Sequence, residues 1–156
     1  MSGSISRLSG TISIDMETRS ALDLKKCGVY RYSMNPSTDV WCIAWCLEGE
    51  GIQVWEPGDP FPEKIRAHAG RGGSFSAWNA QFERLIWQQI LEPKYGWSSL
   101  EIDQWRCTQG EAMAYGLPAS LGDAAKALGL EMQKDSKGKN LMLRMSRPRS
   151  EDTFGF

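Results

Sequence analysis

The chain has 156 residues, of which 41% are apolar, and its formal net charge at pH 7 is -1. This length suffices for one domain with a hydrophobic core and is too short to argue for two. No apolar run approaches the roughly 20 residues that cross a bilayer, and the N-terminus lacks the segments of a signal peptide, so we expect a soluble intracellular protein without membrane contact.

The first predicted element is a strand at 12–16, after a Ser-rich stretch at 1–9 that we expect to be loose. Apolar and polar residues alternate in this strand. Asp15 and Glu17 lie two positions apart, so both carboxylates project from one face. Like charges this close repel unless a divalent cation, a basic partner or a shared proton lies between them. The simpler interpretation is that both acids line a solvated face, and the pair by itself favours it.

The next part of the chain predicts a β-hairpin. Residues 21–39 are expected to hold only a short extended piece at 30–32. The continuous β-prone run at 40–47 is typical of a central strand covered on both faces. A turn at 48–51 then leads to a hairpin partner at 52–55.

The middle of the chain predicts helix and strand in alternation. Residues 63–69 form a short helix, and a strand at 74–78 leads to Asn79, a good N-cap residue. We expect the following helix to end at Pro93 and Gly96. Its predicted buried stripe consists of Phe82, Leu85, Ile86 and Ile90.

The last part predicts a strand at 102–108, a short helix at 109–115 and a helix that begins at Ser120. Asp123 lies where it would complete a capping box, and this structural role is our reason for not counting it as catalytic. Residues 140–145 predict one or two helical turns. The predicted apolar face of the Ser120 helix consists of Leu121, Ala124, Ala125 and Leu128.

Basic residues are concentrated between positions 134 and 149. Such a segment can meet a phosphate backbone, and a solvated basic tail is an equally good interpretation. The tail at 148–156 has no stop signal and looks interrupted. The basic residues are Lys134, Lys137, Lys139, Arg144, Arg147 and Arg149, against one acid, Asp135.

The cysteines and the single histidine are the residues that could form a zinc site or take part in nucleophilic catalysis. Cys27, Cys42, Cys46 and Cys107 have no Cys-x-x-Cys spacing, and His68 has no cysteine near it. We therefore expect no zinc site, and we predict reduced thiols packed in a core. A catalytic role for His68 is not expected.

The order of the elements predicts an α/β domain with a mixed sheet over residues 10–147. Glu83 falls in the first turn of the helix after the 74–78 strand, where negative charge is favoured. If that strand lies beside the Asp15 strand, three carboxylates converge, as a divalent-metal phosphoryl-transfer site requires. Taken alone, Glu83 is more often a solvated acid.

Four segments occur in the order IDMETRS at 14–20, NAQFER at 79–84, WRCT at 105–108 and a helix at 120–130. In this order and spacing the chain, from about residue 12 to 149, resembles the 3′–5′ proofreading exonuclease domain of phage-type family A DNA polymerases. The resemblance implies a ribonuclease-H-like fold with a five-stranded mixed sheet flanked by helices. It also implies hydrolysis of single-stranded DNA from its 3′ end with two Mg²⁺ or Mn²⁺ ions, in the cytoplasm of a bacterial host.

The resemblance assigns roles to particular residues. Asp15 and Glu17 match the first motif as metal ligands, and Glu83 matches the acid of the second motif. Asn79 and Phe82 match that motif's Asn and aromatic positions, which implies contact with the nucleic acid. The basic residues expected to contact it as well are Lys137, Lys139, Arg144 and Arg147.

Two departures from the family pattern limit what the resemblance implies. Trp78 occupies a position that is often His in these relatives. The third motif, a Tyr or His followed four residues later by Asp, is absent, so we expect weak or no activity from the chain alone. The chain would then be the exonuclease portion of a polymerase, present as a fragment or as a split gene whose downstream polymerase partner supplies the last motif. The alternative is a non-catalytic module of the same fold, a regulator or inhibitor that binds nucleic acid or protein.

Overall fold

The computed structural model describes residues 10–130 and 145–146. Several predictions lie outside these residues. They are the loose stretch at 1–9, the helical turns at 140–145 except for Met145, the tail at 148–156 and the DNA contacts of Lys137, Lys139, Arg144 and Arg147.

The described residues contain a five-stranded mixed sheet with the strand order β3-β2-β1-β4-β5. β1 pairs antiparallel with β2 and parallel with β4, and β5 pairs parallel with β4. The predicted α/β class is therefore confirmed, and the sheet with its flanking helices is consistent with a ribonuclease-H-like fold. The strands are β1 (Thr11–Arg19), β2 (Asp39–Leu47), β3 (Gln53–Trp55), β4 (Ser74–Ala77) and β5 (Trp105–Cys107).

Six α-helices and two other helical turns occur in the described part of the chain. A π-helical turn at Trp87–Leu91 joins the third and fourth helices, and a 3₁₀ turn at Ile102–Gln104 precedes β5. No helix among the described residues is long and apolar enough to cross a bilayer. The α-helices are α1 (Leu24–Ser33), α2 (Glu63–Gly70), α3 (Ala80–Ile86), α4 (Glu92–Tyr95), α5 (Thr108–Ala114) and α6 (Leu121–Ala127).

The core lies on one face of the sheet. Alternate residues of β1 are buried there, and Trp87 is fully buried against the same face. The ring of Trp87 meets those of Phe75, Trp97 and Trp105 edge-on, with centroid distances of 5.4, 4.9 and 5.7 Å. These are favourable aromatic geometries, so this cluster fixes how the helices pack on the sheet.

Within residues 21–39 the chain is helical at Leu24–Ser33, so our prediction of an extended piece at 30–32 was wrong. The Asp23 side chain accepts a hydrogen bond from the backbone N–H of Lys25 and so caps α1. Gly28 interrupts the helix, with φ 77° and ψ 161°. Tyr32 is buried and its hydroxyl lies 2.9 Å from the Thr18 hydroxyl, so tertiary packing outweighs the poor local helix signal.

The strand predicted at 40–47 exists as β2, but only one of its faces is well buried. Val40, Ile43 and Trp45 face the core, whereas Trp41 is 38% exposed and Cys42 is half-buried. The prediction of a strand covered on both faces was therefore wrong. The β-prone run reflects residue type rather than burial on two sides.

The helical segment after β4 begins and ends near the predicted residues, but Asn79 and Pro93 do not have the roles that we predicted for them. Asn79 precedes α3 with a left-handed φ of 64° and makes no side-chain cap. Pro93 lies inside α4 instead of ending it. It occupies the first turn after the π-helical turn, where a proline ring is tolerated. The helical segment ends at Gly96, as predicted.

The predicted cap and apolar face of α6 are not formed. Ser120 makes no side-chain cap hydrogen bond, so the structural role that we assigned to Asp123 was wrong. Leu121 and Leu128 are 49% and 58% exposed, and only Ala124 is buried. The helical spacing of apolar residues was real, but no core element covers that face in the described structure.

All four cysteines lie in the described part of the chain and are free thiols. Each is half-buried, so the prediction of reduced thiols is confirmed and that of full core packing is not. His68 is 5% exposed and its Nε2 lies 3.0 Å from the Ser74 carbonyl oxygen. A Cβ at Gly73 would collide with the same imidazole ring, so His68 fills a tight structural space.

Candidate active site

Asp15 and Glu17 lie on β1, on the face opposite the buried Ile14 and Met16. Asp15 is exposed and Glu17 is half-buried. In the antiparallel ladder with β2, Glu17 pairs with Cys42. Period-two alternation therefore places both carboxylates on one face, as the sequence predicts.

Glu83 lies in the first turn of α3, which follows β4 directly, and β4 is the parallel neighbour of β1. The expected adjacency of the two strands is therefore confirmed. The Glu83 side chain is only 4% exposed, so the interpretation as a solvated acid is wrong. Its Oε2 is buried and has no hydrogen-bond partner among the described residues. A buried oxygen without a partner is costly, and such groups commonly have a function.

The electrostatics of Glu83 connect it to the two acids of β1. Burial is the largest cause that raises its pKa, which reaches about 8. A hydrogen bond from its own backbone N–H lowers the pKa, whereas the charges of Asp15 and Glu17 raise it further. Since Coulomb interactions weaken with distance, all three carboxyl groups lie within one electrostatic site. At pH 7 Glu83 is accordingly mostly neutral.

The donor chemistry of this site fits a hard divalent cation, since carboxylate oxygens are the ligands that Mg²⁺ and Mn²⁺ prefer. The buried Oε2 of Glu83, which no side chain or backbone group of residues 10–130 and 145–146 meets with a hydrogen bond, supports this fit. Within residues 10–130 and 145–146, however, no three His, Cys, Asp or Glu side chains are close enough together to hold a metal ion. The three predicted acids thus interact electrostatically, but in the described structure they do not form a preorganised metal-binding site.

Comparison with known proteins gives one informative relative. No model of a protein family matches the chain. The DNA polymerase of Bacillus phage SP02 is 36% identical to it over 141 residues, which cover 88% of this chain and 21% of that polymerase. The chain is a polymerase-related domain. It spans about a fifth of the length of this relative.

Two further predicted site residues lie close to Glu83 along the chain, since Asn79 precedes α3 and Phe82 lies in its first turn. Asn79 is exposed, and the half-buried Phe82 has its ring centroid 6.2 Å from that of Tyr32. Of the predicted site residues, Asp15, Glu17 and Glu83 therefore interact electrostatically, while Asn79 and Phe82 lie next to Glu83 along the chain at the start of α3.

Sequence reasoning missed two residues of β2 that face this site. The pairing register shifts between Glu17 and Thr18, because Glu17 pairs with Cys42 and Thr18 with Val40. The resulting bulge sets both Trp41 and Cys42 against Glu17. Burial is the largest cause that raises the Cys42 thiol pKa, and Glu17 raises it further. No turn or glycine signal in the sequence marks this bulge.

Proposed function

We propose that this polymerase-related domain is the 3′–5′ exonuclease-type domain of a phage or prophage DNA polymerase and binds the 3′ end of single-stranded DNA. The observation that supports this most is the buried carboxyl oxygen of Glu83, which interacts electrostatically with Asp15 and Glu17 and has no hydrogen-bond partner in the described part of the chain. A carboxylate that stabilises the fold has a hydrogen-bond or ion-pair partner, or it is solvated. A carboxylate that binds a cation has an oxygen that no protein group contacts before the cation binds.

In this proposal Asp15, Glu17 and Glu83, which are not close enough together in the described structure, would move together to hold Mg²⁺ or Mn²⁺, and the ion would activate a water and stabilise the leaving oxygen. Glu83 has to lose its proton when a cation binds, because only the carboxylate is a ligand. Asn79 offers an amide and Phe82 an aromatic ring to the terminal nucleotides. The basic side chains proposed to contact the DNA phosphates are Lys137, Lys139, Arg144 and Arg147.

The chain alone should hydrolyse DNA weakly or not at all. Two-metal hydrolysis needs a fixed cluster of acids, and no three are gathered closely enough among the described residues. The third motif of the resembling family is also missing from the sequence. Losing one such group should cost at least about two orders of magnitude in rate. A downstream polymerase polypeptide is therefore the partner that we propose for full activity.

The test is Mg²⁺-dependent loss of nucleotides from a 3′-labelled single strand. The chain is assayed alone and mixed with a polypeptide that carries a Tyr-x-x-x-Asp motif. We expect little hydrolysis alone, stimulation by the mixture, and loss of that stimulation in Glu83→Gln. Glu63→Gln is the matched control, because Glu63 also lies in the first turn of a helix but is solvated, with its side chain 82% exposed. Equal rates for Glu83→Gln and its parent would contradict the proposal.

The second candidate is a non-catalytic module that binds nucleic acid or protein as a regulator or inhibitor. The absence of three grouped ligands among the described residues favours it. The same assay separates the two functions. Binding of single-stranded DNA with no hydrolysis in any mixture would support the module and contradict the exonuclease.

A further inference from the structure

The face of β1 that carries Asp15 and Glu17 continues to Arg19. Burial alternates along the whole strand, so the half-buried Arg19 lies on the same face as the two acids, while the intervening Thr18 is buried. Two residues of strand, about 7 Å along the backbone, separate Arg19 from Glu17. The strand thus places a guanidinium beside the acids of the candidate site.

Trp41 lies against this guanidinium at the bulge in β2. The pairing register shifts after Glu17, and Trp41 is the extra residue that the shift leaves unpaired. The centroid of its ring is 4.9 Å from the guanidinium carbon of Arg19, which is a cation–π distance. We call these two residues the Arg19–Trp41 pair. It brings a positive charge and an aromatic ring to the end of the acidic strand.

The ion pair that Arg19 makes with Asp39 is a loose one. The two side chains are 3.9 Å apart, which is too long for a hydrogen bond. The Asp39 carboxylate also accepts hydrogen bonds from Lys94 at 2.6 Å and from Tyr95 at 2.9 Å. The Arg19 side chain is 38% exposed. A phosphate can therefore reach Arg19, and guanidinium groups bind phosphate through charge-assisted hydrogen bonds.

The Trp41 indole is oriented and yet accessible. Its Nε1–H donates to the Met145 carbonyl oxygen at 2.9 Å, and Arg19 lies over the ring. Trp41 is nevertheless 38% exposed, so part of its aromatic surface is open to a ligand. An accessible ring beside a positive charge is the combination with which proteins bind single strands, by stacking on the bases and attracting the backbone.

We propose that the Arg19–Trp41 pair binds the nucleotide next to the one that meets the acids, with Arg19 contacting its phosphate and Trp41 stacking on its base. Arg19 then offsets the repulsion between the DNA phosphates and the carboxylates of Asp15 and Glu17. This assignment rests on the proposed function, because it requires a single strand bound at the acids.

The test is the fluorescence anisotropy of a 5′-labelled single strand titrated with the full chain at several salt concentrations, with Ca²⁺ in place of Mg²⁺ to keep the strand intact. Trp41→Ala should weaken binding roughly 5- to 150-fold, the range for one lost stacking contact. Trp41→Phe loses the hydrogen bond to Met145 but keeps a ring, so it should retain most of the affinity. Arg19→Met should flatten the salt dependence of the affinity by roughly 0.7 in slope, because one phosphate contact is lost.

A second strand, without bases on the last few nucleotides at its 3′ end, separates stacking from a structural effect. Trp41→Ala should bind this strand as well as the parent chain does, because there is no base to stack on residue 41. A structural defect would instead weaken the binding of both strands equally. Arg19→Met should flatten the salt dependence with either strand, since both carry the phosphates.

Arg66→Met is the matched control. The Arg66 guanidinium also lies 4.9 Å from an aromatic centroid, that of Phe61, but Arg66 belongs to α2. This helix packs on the core face of the sheet, where His68 meets the buried Phe75 edge-on at 5.3 Å. Arg66→Met should therefore change neither the affinity nor the salt dependence.

Three results would overturn the assignment while the proposed function stands. They are unchanged binding in both Trp41→Ala and Arg19→Met, equal weakening of both strands by Trp41→Ala, and equal flattening of the slope in Arg66→Met and Arg19→Met. A parent chain that binds no single strand would overturn the proposed function, and the role of the Arg19–Trp41 pair with it.

Discussion

Glu83 combines two properties that stability alone does not explain. Its side chain is 4% exposed, and its Oε2 has no hydrogen-bond partner among the described residues. Burial raises its pKa to about 8, with Asp15 and Glu17 adding to the effect. The folded protein therefore keeps a proton on Glu83 at neutral pH that the unfolded chain releases. Glu83 thus destabilises the protein at neutral pH.

This destabilisation has a predictable pH dependence. The folded pKa is above the ordinary value of 4.5, so the native state binds more protons than the unfolded state between about 4.5 and 8. Through this group the free energy of unfolding should fall by about 1.4 kcal/mol per pH unit in that window. Glu83→Gln should remove this slope and stabilise the protein at pH 7, as measured by urea unfolding at several pH values. Glu63→Gln should keep the slope, and an unchanged slope in Glu83→Gln would contradict the assignment.

At the level of elements, β1 and its two neighbours position the site, and the end of α4 fixes the start of β2. Asp39, the first residue of β2, accepts hydrogen bonds from Lys94 Nζ at 2.6 Å and from the Tyr95 hydroxyl at 2.9 Å. Burial opposes ionisation of Asp39, but these hydrogen bonds outweigh it and lower its pKa below 3.8. The same carboxylate lies 3.9 Å from Arg19. This cluster therefore connects the end of α4 to the neighbouring strands β2 and β1.

Asp39→Asn should lower the free energy of unfolding at pH 7 by about 1–2 kcal/mol, because charge-assisted hydrogen bonds are removed. Since the folded pKa is lowered, this stabilisation is present above the unfolded pKa and is lost as pH falls through the folded value. The difference between variant and parent should therefore shrink below pH about 3.8. Urea unfolding at pH 7 and pH 3 measures it. Glu50→Gln, which loses a more exposed ion pair with Lys64, should change stability by less than about 1 kcal/mol, and an equal loss in both variants would refute the cluster's role.

The sequence predicts most of these elements where local pattern and packing agree. β1 follows from its period-two alternation, and the hairpin at 40–55 and the strand before Asn79 follow from β-prone runs and turn residues. Helix α1 was missed because its stability comes from Tyr32 packing on Thr18 rather than from an amphipathic pattern. The bulge at Trp41 depends on how two strands pair, which single-strand patterns do not encode.

For the whole molecule, the sequence predicts the sheet class and the meeting of Asp15, Glu17 and Glu83, and the structure places these acids in one electrostatic site. The burial of Glu83 could not be predicted, because first-turn acids are usually solvated and burial depends on the packing of α3 against the sheet. The exposure of the apolar face of α6 could not be predicted either, because an apolar stripe on a helix does not show whether another element packs against it. Because the chain is related to a phage DNA polymerase, we propose that these three acids share one metal site.

Titration calorimetry with Mn²⁺ at pH 7, in two buffers of different ionisation enthalpy, tests this claim most directly. Because Glu83 is mostly protonated at pH 7 and must ionise to become a ligand, binding should release close to one proton per site. Glu83→Gln should bind more weakly and release almost none, whereas Glu63→Gln should match the parent. Binding by the parent without proton release, or with the same release in Glu83→Gln, would contradict the claim.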